Sequence, residues 1–160
     1  MNFIMDESLG FILNRTSVAI KKEFAKRLKP YDLTPEQWSI LNRLGEEDGL
    51  TQKNLAERTY KDQPNTARML DKLEKKKLLK RAANPEDRRG FFIFLTARGR
   101  DLRERIIPLT IKQNEDAALG LKQEEYRQLI SLLGRVYENL TESHIGPRTE
   151  QTLKPHPKGK

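Results

Sequence analysis

Two helix-start signals, Thr51 and Asp62, lie so close together that the helix between them has room for only about two turns. Thr51 stands before "QKNLAERT", and Leu50 and Leu55 have the spacing of a hydrophobic staple around it. The next helix, "QPNTARMLDKLEKK", takes Asp62 or Gln63 as its cap. Pro64 falls in its first turn, where a missing N–H costs nothing. Two short helices joined by about three residues make a helix-turn-helix pattern. In the second helix Thr66, Leu70 and Leu73 point inward. Asn65, Arg68, Lys72 and Lys75 recur at helical spacing on the opposite face.

The flanking segments read as follows. Leu9, Ile12, Leu13, Ala19, Ile20, Phe24 and Leu28 predict a first helix over residues 7–28, stopped by Pro30. Thr34, Pro35 and Gln37 announce a second, with a capping box and the apolar stripe Trp38, Leu41 and Leu44. After the helix pair, Leu78–Ala82 and Phe91–Leu95 read as strands, the second with Phe91, Ile93 and Leu95 on one face. The connection over 83–90 exceeds the two to five or so residues of an ordinary hairpin turn, and it crowds charge at its tip. Thr96 caps a long helix that Pro108 should kink unless packing absorbs the lost bond. A last helix covers 122–143, and a Pro/Lys/Gly-rich stretch over 146–160 is expected to be a mobile basic tail.

Charge narrows the partner. The formal net charge is +8, and residues 51–105 alone carry an excess of that size. A basic middle segment points to a polyanion, with nucleic acid favoured over membrane because no strongly amphipathic basic helix stands alone. No segment nears the 18 or so apolar residues of a membrane span, and the N-terminus shows no signal peptide, so the cytoplasm is expected. There is no cysteine, which excludes disulfides, thiolate metal sites and thiol redox sensing. Catalysis is a poor fit. There is no phosphate-binding glycine loop, nucleophile elbow or H-E-x-x-H pair, and His144 and His156 lie at the end of the chain.

An exposed helix face bearing Gln63, Asn65, Arg68 and Lys72 suits the DNA major groove. Arginine can grip guanine bidentately, Asn or Gln can pair with adenine, and lysine holds phosphate. A hairpin tip bearing Arg88 and Arg89 suits the adjacent minor groove, whose narrow A·T runs attract arginine. Asp87 is then an acid that orients Arg89. Thr51, at the head of the first short helix, completes the candidate DNA-binding set.

These residues carry a resemblance. "DRRGFFIFLTARG" is similar to the D-x-R-x5-L-T-x-x-G signature of the MarR family, and "TARMLDKLEKKKLLKR" looks like that family's recognition helix and first wing strand. The resemblance covers about residues 7–143. It implies a mainly α fold with a small two-stranded β-wing: a winged helix-turn-helix domain over 31–96, flanked by helical dimerisation segments at 1–30 and 97–145. It further implies a homodimeric, ligand-responsive repressor of double-stranded DNA, with no cofactor beyond a small-molecule effector, aromatic or anionic. Phe24, Tyr31 and Trp38 could line an effector crevice, although core packing explains each of them better. Three residues depart from the family pattern. Lys77 stands where glycine is usual, Thr66 where a small aliphatic is common, and Lys122 where a capping residue is expected. The rival readings are non-specific architectural DNA binding and a winged-helix protein-interaction module.

Overall fold

Thr34 starts its helix with a complete capping box: its Oγ1 accepts the Gln37 N–H at 3.2 Å, and Gln37 Oε1 accepts the Thr34 N–H at 3.2 Å. Such local signals build most of the chain. The computed structural model describes residues 4–141. Residues up to Ala117 form one compact unit and those from Ala118 onward another.

The first unit runs α1 (Leu9–Leu28), α2 (Pro35–Glu46), β1 (Leu50–Thr51), α3 (Gln52–Thr59), α4 (Gln63–Lys75), β2 (Leu79–Asn84), β3 (Asp87–Leu95) and α5 (Ala97–Ala117). Thr51 caps α3 and Asp62 caps α4, so of the two candidates Asp62 is the cap and Gln63 the first helical residue. The sheet has three strands in the order β1-β3-β2, one more than the wing alone would give. The added strand is only Leu50 and Thr51, paired with Ile93 and Phe92. Two residues are too few for a period-2 pattern to register in sequence.

The hairpin departs further from expectation. β2 and β3 extend to Asn84 and Asp87, so Pro85 and Glu86 alone make the turn. A register irregularity at Ala83/Asn84 absorbs the mismatch. The charged residues of the expected loop are therefore mostly strand residues. Ile93 and Leu95 are buried as expected, but Phe91, on the same face, is 49% exposed because the strand has by then passed beyond the core.

Leu41, Leu44, Leu55, Leu70 and Leu73 are wholly buried together with Ile93 and Leu95, so helix pair and sheet share one core. Each such side chain contributes roughly 1.5–3 kcal/mol by leaving water. Phe24 and Trp38 belong to this core, and Tyr31 packs against it. Thr66 is also buried, its hydroxyl satisfied by donating to the Asp62 carbonyl at 2.9 Å.

The joint between wing and α5 is tight. Lys77 adopts the left-handed conformation, with φ 58°, that glycine would take more easily. Thr96 holds it there, donating its hydroxyl to the Lys77 carbonyl at 2.7 Å while accepting the Gly99 N–H at 3.0 Å. A Cβ on Gly99 would lie 2.0 Å from the Leu78 carbonyl oxygen, so the close approach of α5 to the strand start requires glycine. Pro108 does not break α5: it lies on the exposed side, and the helix continues to Ala117.

Much of α1 is apolar yet uncovered. Leu9, Phe11, Val18 and Ile20 are exposed, and only Phe24 and Leu28 of that helix are buried. The second unit contains α6 (Gln123–Thr141), whose Leu129, Ile130, Leu132, Tyr137 and Leu140 are likewise exposed. Lys122 keeps half of a capping box there, its N–H donating to Glu125 Oε2 at 2.7 Å. No helix among the described residues is long and apolar enough to cross a membrane. The histidines and the tail read from sequence lie outside the described residues.

Candidate nucleic-acid interface

α4 presents an ordered polar edge. Asp62 accepts the Asn65 N–H at 2.7 Å and also the Asn65 side-chain amide. The Asn65 carbonyl oxygen in turn accepts from the Arg68 guanidinium. All three residues are exposed. The Asp62 carboxyl is held below its ordinary value, chiefly because the Asn65 backbone N–H donates to its charged form. Asn65 is thus pinned at both ends of its amide yet keeps one N–H and one lone pair unused, the minimum for a bidentate contact with a base. Arg68 is oriented along the helix by its neighbour one turn earlier.

Gln63 opens the same helix at a cleft of about 360 Å³ that it shares with Thr51, Lys53, Arg81 and Arg89. This cleft joins the start of α4 to the wing, so residues far apart in sequence border one surface. The Thr51 hydroxyl is already engaged: it accepts the Asn54 N–H at 3.1 Å and donates to Asn54 Oδ1 at 2.7 Å. Lys72, further along α4, borders a separate recess with Asn65 and Arg68.

On the wing, Asp87 Oδ1 accepts the backbone N–H of Arg89 at 2.9 Å. The orienting contact is therefore to the main chain of Arg89 and not to its guanidinium. A Cβ on Gly90 would lie 2.9 Å from Asp87 Oδ2, so glycine at that position leaves the carboxylate its room. Among the described residues no carboxylate pairs with Arg88 or Arg89, and both are exposed.

Sequence reasoning passed over Arg81. Its guanidinium bridges from β2 to α4, pairing with Asp71 at 2.7 Å and with Glu74, and its side chain is only 20% exposed. The signal was available: two acids one turn apart on a basic helix, followed by an arginine in the next strand. Among the described residues no group of acids and histidines could hold a metal ion.

The comparisons with known proteins match this architecture. A model of the MarR family matches residues 33–91, from the start of α2 to the middle of the wing. The HTH-type transcriptional regulator SarZ of Staphylococcus epidermidis is 30% identical over 129 residues, covering 81% of this chain and 86% of its own. The chain belongs to the MarR family. Among solved structures it is similar to the transcriptional repressor CouR bound to a 23-mer DNA duplex, with a TM-score of 0.76, 30% identity, and coverage of 86% of this chain and 99% of that one. It is also similar to Bordetella bronchiseptica BpsR, whose DNA binding is regulated by 6-hydroxynicotinic acid, with a TM-score of 0.77, 25% identity, and coverage of 82% and 99%. This MarR-family protein is a DNA-binding transcriptional regulator and not an enzyme.

Proposed function

We propose that the protein is a homodimeric, sequence-specific repressor that places α4 in the major groove and the wing in the adjacent minor groove. The observation that carries this reading is the exposed Asp62–Asn65–Arg68 ladder, with Gln63 and Arg89 bordering one cleft beside it. In this reading Asn65 and Arg68 read base edges, Gln63 adds a further base contact, and Lys72 holds phosphate. Arg88 and Arg89 enter the minor groove. Thr51, its hydroxyl spent on the cap, sits at the edge of the backbone contact.

The exposed apolar residues of α1 and α6 are assigned to the dimer interface, since a single chain leaves them in water. Residues 1–30 and 97–145 are thus the dimerisation region and 31–96 the DNA-binding domain. A two-fold dimer calls for a pseudo-palindromic operator whose half-site centres lie about 10–10.5 bp apart. The repressor acts in the cytoplasm and is released by a small aromatic or anionic effector, as the behaviour of BpsR supports.

The test is selection of bound DNA from a random pool, followed by anisotropy titration at several salt concentrations and light scattering of the free protein. A two-fold sequence and a dimer are expected. Affinity equal for all sequences would replace this reading with architectural binding, and no binding at low salt would replace it with a protein-interaction module. A compact monomer at micromolar concentration would remove the dimer.

A further inference from the structure

Among the described residues from Pro35 to Leu95, only two large hydrophobic side chains are exposed: Tyr60 in the turn before α4 and Phe91 on β3. Strand alternation puts Phe91 on the face of the buried Ile93 and Leu95. It lies one step nearer the wing tip, opposite Ala83 of β2, and 49% of it stays in water. The ring borders the cleft of about 360 Å³ that also holds Thr51 and Lys53 from the head of α3, Gln63 from the head of α4, and Arg89. Lys53 and Arg89 are exposed and have no ion pair among the described residues. Arg81, the third cation of the cleft, is held by Asp71 and Glu74. The one carboxylate there, Asp87, accepts the Arg89 N–H. The cleft therefore offers an outside partner two cations and one half-exposed aromatic ring.

We propose that Phe91 packs against deoxyribose of the DNA strand that crosses this cleft, adding an apolar, sequence-independent contact to the charged ones. The inference rests on the reading that α4 enters the major groove and the wing the adjacent minor groove. The cleft joins those two elements, so the strand that separates the two grooves passes over it. A nucleic-acid strand alternates charge with apolar sugar. Its phosphates suit Lys53 and Arg89, and its base edges face into the grooves, toward α4 and the wing tip. The sugar is the part left for a ring that can neither donate nor accept a hydrogen bond. A wedge between base pairs would need a side chain at the tip. Phe91 is set back from the Pro85–Glu86 turn, behind Arg88 and Arg89.

The test compares Phe91→Ala, Phe91→Leu and Arg89→Ala in the full chain. Anisotropy titration at several salt concentrations uses a selected operator and a panel of its single-base-pair variants. Calorimetry at several temperatures gives the heat capacity change of binding. Phe91→Ala should weaken binding about fivefold per subunit, the scale of covering half a phenylalanine side chain. The factor should be the same across the panel, and the salt slope should not change, because no charge is lost. The heat capacity change should become less negative, the mark of apolar surface left uncovered. Phe91→Leu should recover most of the affinity. It also decides the matter if thermal unfolding shows Phe91→Ala to be poorly folded. Arg89→Ala should instead lower the salt slope.

Wild-type affinity in Phe91→Ala overturns the contact. A salt slope that falls as it does in Arg89→Ala also overturns it, because the ring then serves only to hold a charge in place. A loss confined to particular base pairs, and reproduced by replacing the operator's thymines with uracil, overturns it as well, since the ring then meets a thymine methyl group. If Arg68→Ala and Arg89→Ala lose affinity while Phe91→Ala does not, this contact alone fails and the reading of α4 and the wing stands. A wild type that binds no DNA removes both.

Discussion

Asp87 grips the main chain of Arg89: its carboxylate accepts the Arg89 N–H at 2.9 Å, two residues along the same strand. The acid thereby shapes the backbone at the tip while the Arg89 guanidinium has no ion pair among the described residues. In the proposed reading, repulsion between Asp87 and DNA is tolerated because the carboxylate is spent on the backbone of its own strand.

The first prediction follows from the kind of group that does this work. A backbone N–H needs an acceptor, not a charge, so Asp87→Asn should retain most operator affinity while Asp87→Ala loses more. An ion pair to the guanidinium would make both substitutions equally harmful. Anisotropy titration of the two variants decides between them. Equal losses would show that the charge matters.

Arg68 and Arg89 should fail in different ways. Arg68→Ala should cost roughly 1–3 kcal/mol per contact and relax preference at one base pair in each half-site. Arg89→Ala should weaken binding at most sequences, reduce the salt slope by about one per subunit, and hurt most beside A·T-rich flanks. Repeating the DNA selection with each variant separates a lost base preference from a uniform loss. Wild-type binding by Arg89→Ala would reduce the wing tip to an ordinary solvated turn.

In the proposed reading the wing must be held at a fixed distance from α4, and Arg81 ties β2 to that helix through Asp71 and Glu74. Arg81→Ala leaves Asp71 and Glu74 beside each other without their shared cation. The pairs are half-buried, so the stability loss should fall between the surface and buried limits, about 1–2 kcal/mol by urea unfolding. DNA binding should fall as well. Adding Arg89→Ala to Arg81→Ala should cost little more, whereas adding Arg68→Ala should cost its full amount. Full additivity with Arg89 would mean that the clamp does not position the wing.

These residues mark what a one-dimensional reading can reach. Caps were legible because Thr34, Thr51 and Asp62 act on backbone N–H groups within three residues of themselves. The inward face of α4 was legible because Thr66, Leu70 and Leu73 repeat with the helix. The length of the hairpin was not, because polar Asn84 and Asp87 resemble loop residues and become strand only through pairing with each other. Arg81 was hidden for a related reason. Its two acids lie on another element, and only the fold brings Asp71 and Glu74 of α4 to the Arg81 guanidinium on β2.

Acid should loosen the start of α4 through Asp62. Its carboxyl is held below the ordinary value, first by the Asn65 backbone N–H and then by the Asn65 amide, both of which favour the charged form. A depressed native value means that the unfolded chain takes up the proton first as pH falls. The stabilisation is therefore complete above the unfolded aspartate value near 4, and it is lost as pH drops through the native one. Nothing should change between pH 6 and 8. Carboxyl-detected NMR titration should show Asp62 ionising below a model aspartate, with the Asn65 amide resonance shifting in step. Asp62→Asn should keep a neutral cap and make that resonance insensitive to acid. An Asp62 titration at the ordinary value, or an Asn65 amide that ignores it, would remove the hydrogen-bonded ladder from the account of how Arg68 is oriented.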